Sequence, residues 1–191
     1  DIMYKSEIVS IDIESTNINP NYAKIVGISV SVEKDSGYYI PFVFPNMDSD
    51  DKYSLNTSEI LDIIKPVLES EEVNKCGQNI KYDMLIFLRY GITLKGILFD
   101  TMIAEHILHP EKNSYKLDNL SIEYLDYKMQ PIEELIGEGK DQKTMDLVPL
   151  DKVVFYACED ADVTFQLTQI LKKNIDETSM SRAFYDIEIP L

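Results

Sequence analysis

Three short stretches of this 191-residue chain carry side chains whose type and spacing could do chemistry. The first is Val9-Ser10-Ile11-Asp12-Ile13-Glu14-Ser15-Thr16. Read as a β-strand, its period of two sends Val9, Ile11 and Ile13 to one face and Ser10, Asp12 and Glu14 to the other. The two carboxylates repel each other on the rim of an apolar strand, and neither has a Lys or Arg beside it in the sequence. A hard divalent cation such as magnesium or manganese, which takes oxygen ligands, would relieve them. The second stretch is Gly77-Gln78-Asn79-Ile80-Lys81-Tyr82-Asp83, where a separation of four places Asn79 and Asp83 on one face of a helix. The third runs from Tyr156 to Thr164, with Tyr156 and Asp160 at the same separation and Glu159 and Asp162 adding charge among small apolar residues. Singly, each acid reads as a solvated strand end or a helix-surface residue. Converging in one cleft, Asp12, Glu14, Asp83 and Asp160 would place four negative charges together, and two divalent cations would balance them. That is the charge arithmetic of a two-metal phosphoryl-transfer site, with cations roughly 3.5–4 Å apart clamping the attacking and leaving oxygens.

The elements that must position these residues follow from periodicity and punctuation. After the first strand comes an Asn-rich loop with Pro20. Strands are then expected over 25–32 and 38–44, joined by the turn Lys34-Asp35-Ser36-Gly37, so the chain opens with a three-stranded meander. An acidic loop covers 46–53. A helix starts at Asn56 with Glu59 as its capping-box partner, buries Ile60, Leu61, Ile64, Val67 and Leu68, and kinks at Pro66. From Val73 the pattern becomes strand (73–76), helix (79–90, stopped by Gly91), strand (97–99) and helix (101–108, with Asp100 as N-cap and Pro110 beyond its end). Helices are expected over 116–125 and 132–136, then a polar loop over 137–143. A long helix follows from Leu150 to about Lys173, with Val154, Ala157, Ala161, Phe165 and Leu171 facing a core. A meander followed by alternating helices and strands implies a mixed sheet with helices on its faces.

Composition narrows the classes. The chain is 45% hydrophobic and 27% charged, as in an ordinary globular domain, and long enough for one sizeable core over 1–191. No apolar run nears the roughly 20 residues that cross a bilayer, and the opening Asp1-Ile2-Met3-Tyr4-Lys5 lacks a signal-peptide layout. The expectation is a cytoplasmic monomer with no membrane partner. Cys76 and Cys158 are expected to pack as free thiols, and His106 and His109 do not make a zinc site of usual spacing. A net charge of −16 excludes a polyanion binder that works through a basic surface. It leaves room for a nuclease that concentrates acid at its centre.

The order D-x-E, N-x-x-x-D, Y-x-x-x-D resembles the three exonuclease motifs in the 3′→5′ proofreading domain of family A DNA polymerases, the bacterial DNA polymerase I type. The resemblance extends to Phe99-Asp100-Thr101-Met102 and to Gly139-Lys140 with Gln142, and so over essentially the whole chain. It implies a ribonuclease H-like α/β fold: a mixed five-stranded sheet with one antiparallel strand, flanked by helices. It also implies roles. Asp12, Glu14 and Asp160 would hold one Mg²⁺ or Mn²⁺, Asp12 and Asp83 a second, and Tyr156 would orient the attacking water. Ile18 stands where the family has an apolar wedge, and Gln78, Asn79 and Tyr82 resemble residues contacting the terminal nucleotides. Lys81, Lys116, Lys140 and Lys143 are candidate phosphate contacts, whereas Ser114 replaces a residue that is often basic. The implied partners are a single-stranded DNA 3′ end and the polymerase domain of the same chain, since Ile187-Glu188-Ile189-Pro190-Leu191 resembles the junction with that domain. The same acids and tyrosine also suit a ribonuclease D-type exoribonuclease, and the fold alone would suit a catalytically silent module of a polymerase.

Overall fold

A computed structural model describes residues 2–42 and 57–191. The five strands are β1 (Val9–Ser15), β2 (Ile25–Ser31), β3 (Tyr38–Pro41), β4 (Lys75–Gly77) and β5 (Ile97–Asp100), in the order β3-β2-β1-β4-β5. β2 runs antiparallel to β1 and β3, while β4 runs parallel to β1 and β5, so a single strand opposes the other four. This is the mixed sheet expected from the meander and the alternating pattern after it. The expected acidic loop over 46–53 and the helix start at Asn56 lie outside the described residues. The helix itself, α1, is described over Thr57–Leu68, with Pro66 in its last turn.

The two faces of β1 have different jobs, and the sequence alternation explains why. Val9, Ile11 and Ile13 enter a core with Ile28 and Val30 of β2, Leu61 and Leu68 of α1, and Ile86 and Phe87 of α2 (Ile80–Arg89). The opposite face carries Ser10, Asp12 and Glu14, paired across β2 with Ser31, Ser29 and Gly27. These small residues let the 27-residue helix α6 (Leu150–Asp176) lie across β1 and β2, with Ala157 and Ala161 fully buried. The carboxylate-bearing face is therefore a covered one, not the exposed rim expected from the sequence: Glu14 is only 6% exposed. The buried stripe of α6 also includes Val153, Leu167, Leu171 and Ile175, whereas Val154 and Phe165 are only half-buried.

Between the sheet and the remaining helices, one carboxylate does the work of two caps. Asp100 accepts from the N–H groups of Met102 and Ile103 at the start of α3 (Thr101–Leu108), as an N-cap should. It also accepts from Asn79 N at 3.2 Å and Ile80 N at 2.8 Å, at the start of α2. Two helix N-termini, each with partly positive unpaired N–H groups, thus share one buried anion. Asn79 sits in the left-handed region at φ 58°, so α2 begins one residue later than the periodicity suggests. At its other end Gly91, at φ 74°, stops the helix as expected. Helix α4 (Leu117–Leu125) and the short α5 (Glu133–Ile136) follow the expected order. A second core of Phe99, Leu120, Leu167, Leu171 and Phe184 joins α3, α4, α6 and the C-terminal turns. Cys76 and Cys158 are both free. None of the described helices is long and apolar enough to cross a membrane.

Replacing Asp100 by Ala strands four backbone N–H groups at two helix starts. We expect the unfolding free energy to fall by about 2–4 kcal/mol, measured as a shift in the urea midpoint at constant slope. Asp100→Asn keeps an acceptor oxygen and should lose about half as much.

Candidate active site

The carboxylates far apart in the chain meet at the carboxyl end of β1. Oxygen atoms of Asp12, Glu14 and Asp160 all lie within 4.8 Å of one another. Asp160 comes from α6, one turn beyond Tyr156, in the interior of the helix. Asp83 arrives from the first turn of α2, 2% exposed. β4 pairs with β1 only at Val9 and Ser10, which leaves later N–H groups on that edge of β1 free. Asp83 Oδ1 takes one of them, the N–H of Ile13 at 3.1 Å, and so docks between Asp12 and Glu14.

Among the described residues, no Lys, Arg or His forms an ion pair with any of the four carboxylates. Burial raises Asp12 to about 6. Glu14 is pushed well above its usual range by burial and then by Asp12, Asp160 and Asp83. Asp83 is raised by burial and by Asp12, against the opposing pull of the Ile13 N–H. Asp160 is raised by burial and by Asp12, and its hydrogen bond with Tyr156 pulls the other way. Burial and the same carboxylates hold the Tyr156 hydroxyl far above its usual titration range, so it remains a proton donor at neutral pH. Glu14 Oε1 is buried with no hydrogen-bond partner. An all-oxygen donor set, with one buried oxygen unpartnered and the charges crowded, suits hard divalent cations.

The candidate substrate residues divide into two kinds. Ile18, in the β1–β2 loop, is 95% exposed, and Asn79 is also exposed. Gln78 is spent on the scaffold: its Nε2 donates to Tyr115 O at 2.8 Å, and its Oε1 accepts from Thr101 Oγ1. Tyr82 likewise fastens α2 to the β1–β2 loop, its hydroxyl bonding Ser15 Oγ at 2.6 Å and donating to Asn17 O. Lys116, Lys140 and Lys143 are exposed, and Lys81 reaches Leu191 O at 3.4 Å. A cavity of about 760 Å³ opens on another flank of α6, lined by Tyr127, Phe155, Cys158 and Asp162 among others; it contains none of Asp12, Glu14, Asp83 and Asp160. The sequence reading missed Tyr39, whose hydroxyl is buried near Glu14 and Asp12. The only signal for it was cross-strand register, since Asp12 pairs with Ser29 and Ser29 with Tyr39.

Residues 2–176 match a family model described as a 3′-5′ exonuclease. DNA polymerase I of Pseudomonas aeruginosa is 32% identical over 190 residues, taking in 98% of this chain and 21% of the polymerase. DNA polymerase I of Rhizobium leguminosarum is 31% identical over 199 residues, covering 96% and 20%. The chain therefore spans about a fifth of the length of these relatives. Among solved structures, Escherichia coli RNase D, an exoribonuclease involved in structured RNA processing, superposes with a TM-score of 0.72 at 14% identity, covering 96% of this chain and 44% of that one. Brucella melitensis NrnC with bound Mg²⁺ gives 0.69 at 16% identity, covering 96% and 82%. At such identities these two likenesses establish the shared ribonuclease H-like fold. The match over nearly the whole length, with relatives above 30% identity, gives the family: the chain belongs to the 3′-5′ exonuclease domains of family A DNA polymerases.

Proposed function

We propose that this domain is a metal-dependent exonuclease that shortens single-stranded DNA from its 3′ end, releasing nucleoside 5′-monophosphates, and that it proofreads for a polymerase domain in a longer chain. The observation that carries the reading is the uncompensated meeting of Asp12, Glu14 and Asp160 within 4.8 Å, with Asp83 hydrogen-bonded to Ile13 N. The DNA polymerase I relatives support DNA as the substrate, and the Mg²⁺ in NrnC is consistent with a divalent cation.

In this reading Asp12, Glu14 and Asp160 hold one cation, while Asp12 and Asp83 hold a second. When bound, such a pair would make an attacking water more acidic and stabilise charge growing on the leaving 3′-oxygen. The protein's own groups do the positioning. Tyr156 is hydrogen-bonded to Asp160 and keeps its proton, so it orients the water by hydrogen bonding and does not act as a base. Ile18, exposed in its loop, presses against the terminal base in this reading, and exposed Asn79 meets the terminal nucleotides. Gln78 and Tyr82 act indirectly, by holding the walls of the cleft. A frayed 3′ end enters such a cleft more readily than a paired one, which would give preference for mismatches.

The direct test is digestion of a 5′-labelled DNA 20-mer in Mg²⁺ or Mn²⁺, with its RNA counterpart alongside. A ladder receding from the 3′ end of DNA is expected. Asp83→Ala should slow it by about a hundredfold or more, the scale on which loss of one charge-stabilising group is felt. Tyr156→Phe should slow it by roughly tenfold to a hundredfold. Faster cleavage of RNA would favour the ribonuclease D-type activity, and no cleavage of either would make the domain a silent module.

The raised carboxylates also fix the sign of a pH effect. In the metal-free fold Asp12 titrates at about 6 against an ordinary 3.8, so between these values the native state binds more protons than the unfolded chain. Stability from this group is present below pH 3.8 and lost as pH rises through about 6. With EDTA at pH 7.5, Asp12→Asn should therefore melt several degrees above wild type. Addition of Mn²⁺ should raise the melting temperature of wild type and not that of the variant.

A further inference from the structure

Tyr39 occupies a place that its strand alone does not explain. It lies on β3 in register with Ser29, which pairs with Asp12, so all three side chains emerge on the face beneath α6. One step along, Glu14 pairs with Gly27, and the Tyr39 ring leans across that glycine. A Cβ built on Gly27 would sit 2.1 Å from the Tyr39 hydroxyl oxygen and 2.2 Å from the ring carbon that bears it. The glycine thus makes the space into which the end of the tyrosine fits, next to the residue paired with Glu14. Around the ring stand Val26, Met145, Val148 and Val153, with Tyr156 in the same cluster.

The polar ends at this spot are unmatched. The Tyr39 hydroxyl, Ser29 Oγ and Glu14 Oε1 are each buried without a hydrogen-bond partner. Unpaired polar atoms are costly when shut away from water, and a fold that gathers them, Ser10 Oγ included, on one face beside its acidic centre is using them. Burial, and after it the Glu14 and Asp12 carboxylates, keep the tyrosine hydroxyl protonated and so available as a donor. Metal-binding carboxylates commonly take such a donor on the oxygen that does not face the ion, and it fixes their orientation.

Resting on the metal-dependent reading above, we infer that Tyr39 is a positioning residue: seated over Gly27, its hydroxyl donates to the Oε1 side of Glu14 across one bridging water, and holds that carboxylate toward Asp12 and Asp160. Tyr156 then approaches the centre from α6 and Tyr39 from the sheet. Ser29 Oγ is the third member of the group. The ring serves packing over the glycine, and the hydroxyl serves the site.

Tyr39→Phe separates these two parts, since it keeps the ring and removes only the hydroxyl. In the 191-residue chain, Mn²⁺ affinity is measured by electron paramagnetic resonance, alongside melting temperature and single-nucleotide release from a DNA oligomer. The expected result is a melting temperature no lower than wild type without metal, Mn²⁺ binding weaker by about tenfold, and a comparable fall in kcat with KM for the oligomer unchanged. Ser29→Ala should weaken Mn²⁺ binding in the same direction by a smaller factor. If Tyr39→Phe binds Mn²⁺ as tightly as wild type, the positioning role is overturned while the metal-dependent reading stands. If wild type itself binds no Mn²⁺, both are overturned.

Discussion

Like-charge repulsion at the carboxyl end of β1 is the constraint around which the rest is built. Four carboxylates that would separate in a free chain are held together by three rigid elements, a strand and two helices, and no basic side chain among the described residues relieves them. Burial raises the pKa values of all four, and the neighbouring carboxylates push those of Glu14, Asp83 and Asp160 further up, so each proton the site keeps removes one buried, repelling charge. Such an arrangement persists only because the apolar face of the same strand is locked into a large core, where Val9, Ile11 and Ile13 meet α1 and α2. Site and core are two sides of one strand, and the stability of the second offsets the cost of the first.

The scaffold also has to let two helices come very close. α6 can bring Asp160 over the sheet because the residues below it are Ser10, Ser29, Ser31 and Gly27, and because Ala157 and Ala161 face them. α2 can bring Asp83 to Ile13 N because β4 stops pairing early and leaves the edge of β1 open. Asp100 then fixes the start of α2 against that of α3. Each device is small, and each sets the position of one carboxylate.

The fold by itself does not choose the nucleic acid. DNA polymerase I and the exoribonuclease RNase D both appear among the similar proteins, the former at above 30% identity over nearly all of this chain, the latter at 14%. A shared architecture that supports different substrates leaves selection to the loops. Here the β1–β2 loop carries the exposed Ile18 and the turn before α2 carries the exposed Asn79. Tyr82 links them, since its hydroxyl bonds to Ser15 and Asn17.

Much of this was legible along the chain, because the signals were local. Alternation of two through Val9–Glu14, the Asp100 cap, the Gly91 stop and the helical spacing of Ala157, Ala161 and Leu171 each act within a few turns, and each produced the element it predicts. That the sheet is mixed followed from a meander preceding alternating helices, its single antiparallel strand was what the family resemblance implied, and the order of the strands came from the structure. What pairs across the sheet was not legible. Whether Glu14 ends on a rim or under a helix depends on where α6 lands, and that depends on the small residues of a neighbouring strand. The ammonium of Lys75 is fully buried, donating to the carbonyls of Ser70 and Val73 at 2.8 Å each, in a strand whose sequence gives no hint of it. Gln78, a candidate substrate contact, also braces the scaffold because its amide bonds Tyr115 and Thr101, distant in sequence. Tyr39 reached the acidic centre only through register over two strands and the missing Cβ of Gly27. The sequence by itself determined which residues could do chemistry and which elements would carry them, since periodicity and capping are short-range. Tertiary structure alone decided burial, partners and charge environment, since these come from packing between segments that the chain keeps far apart.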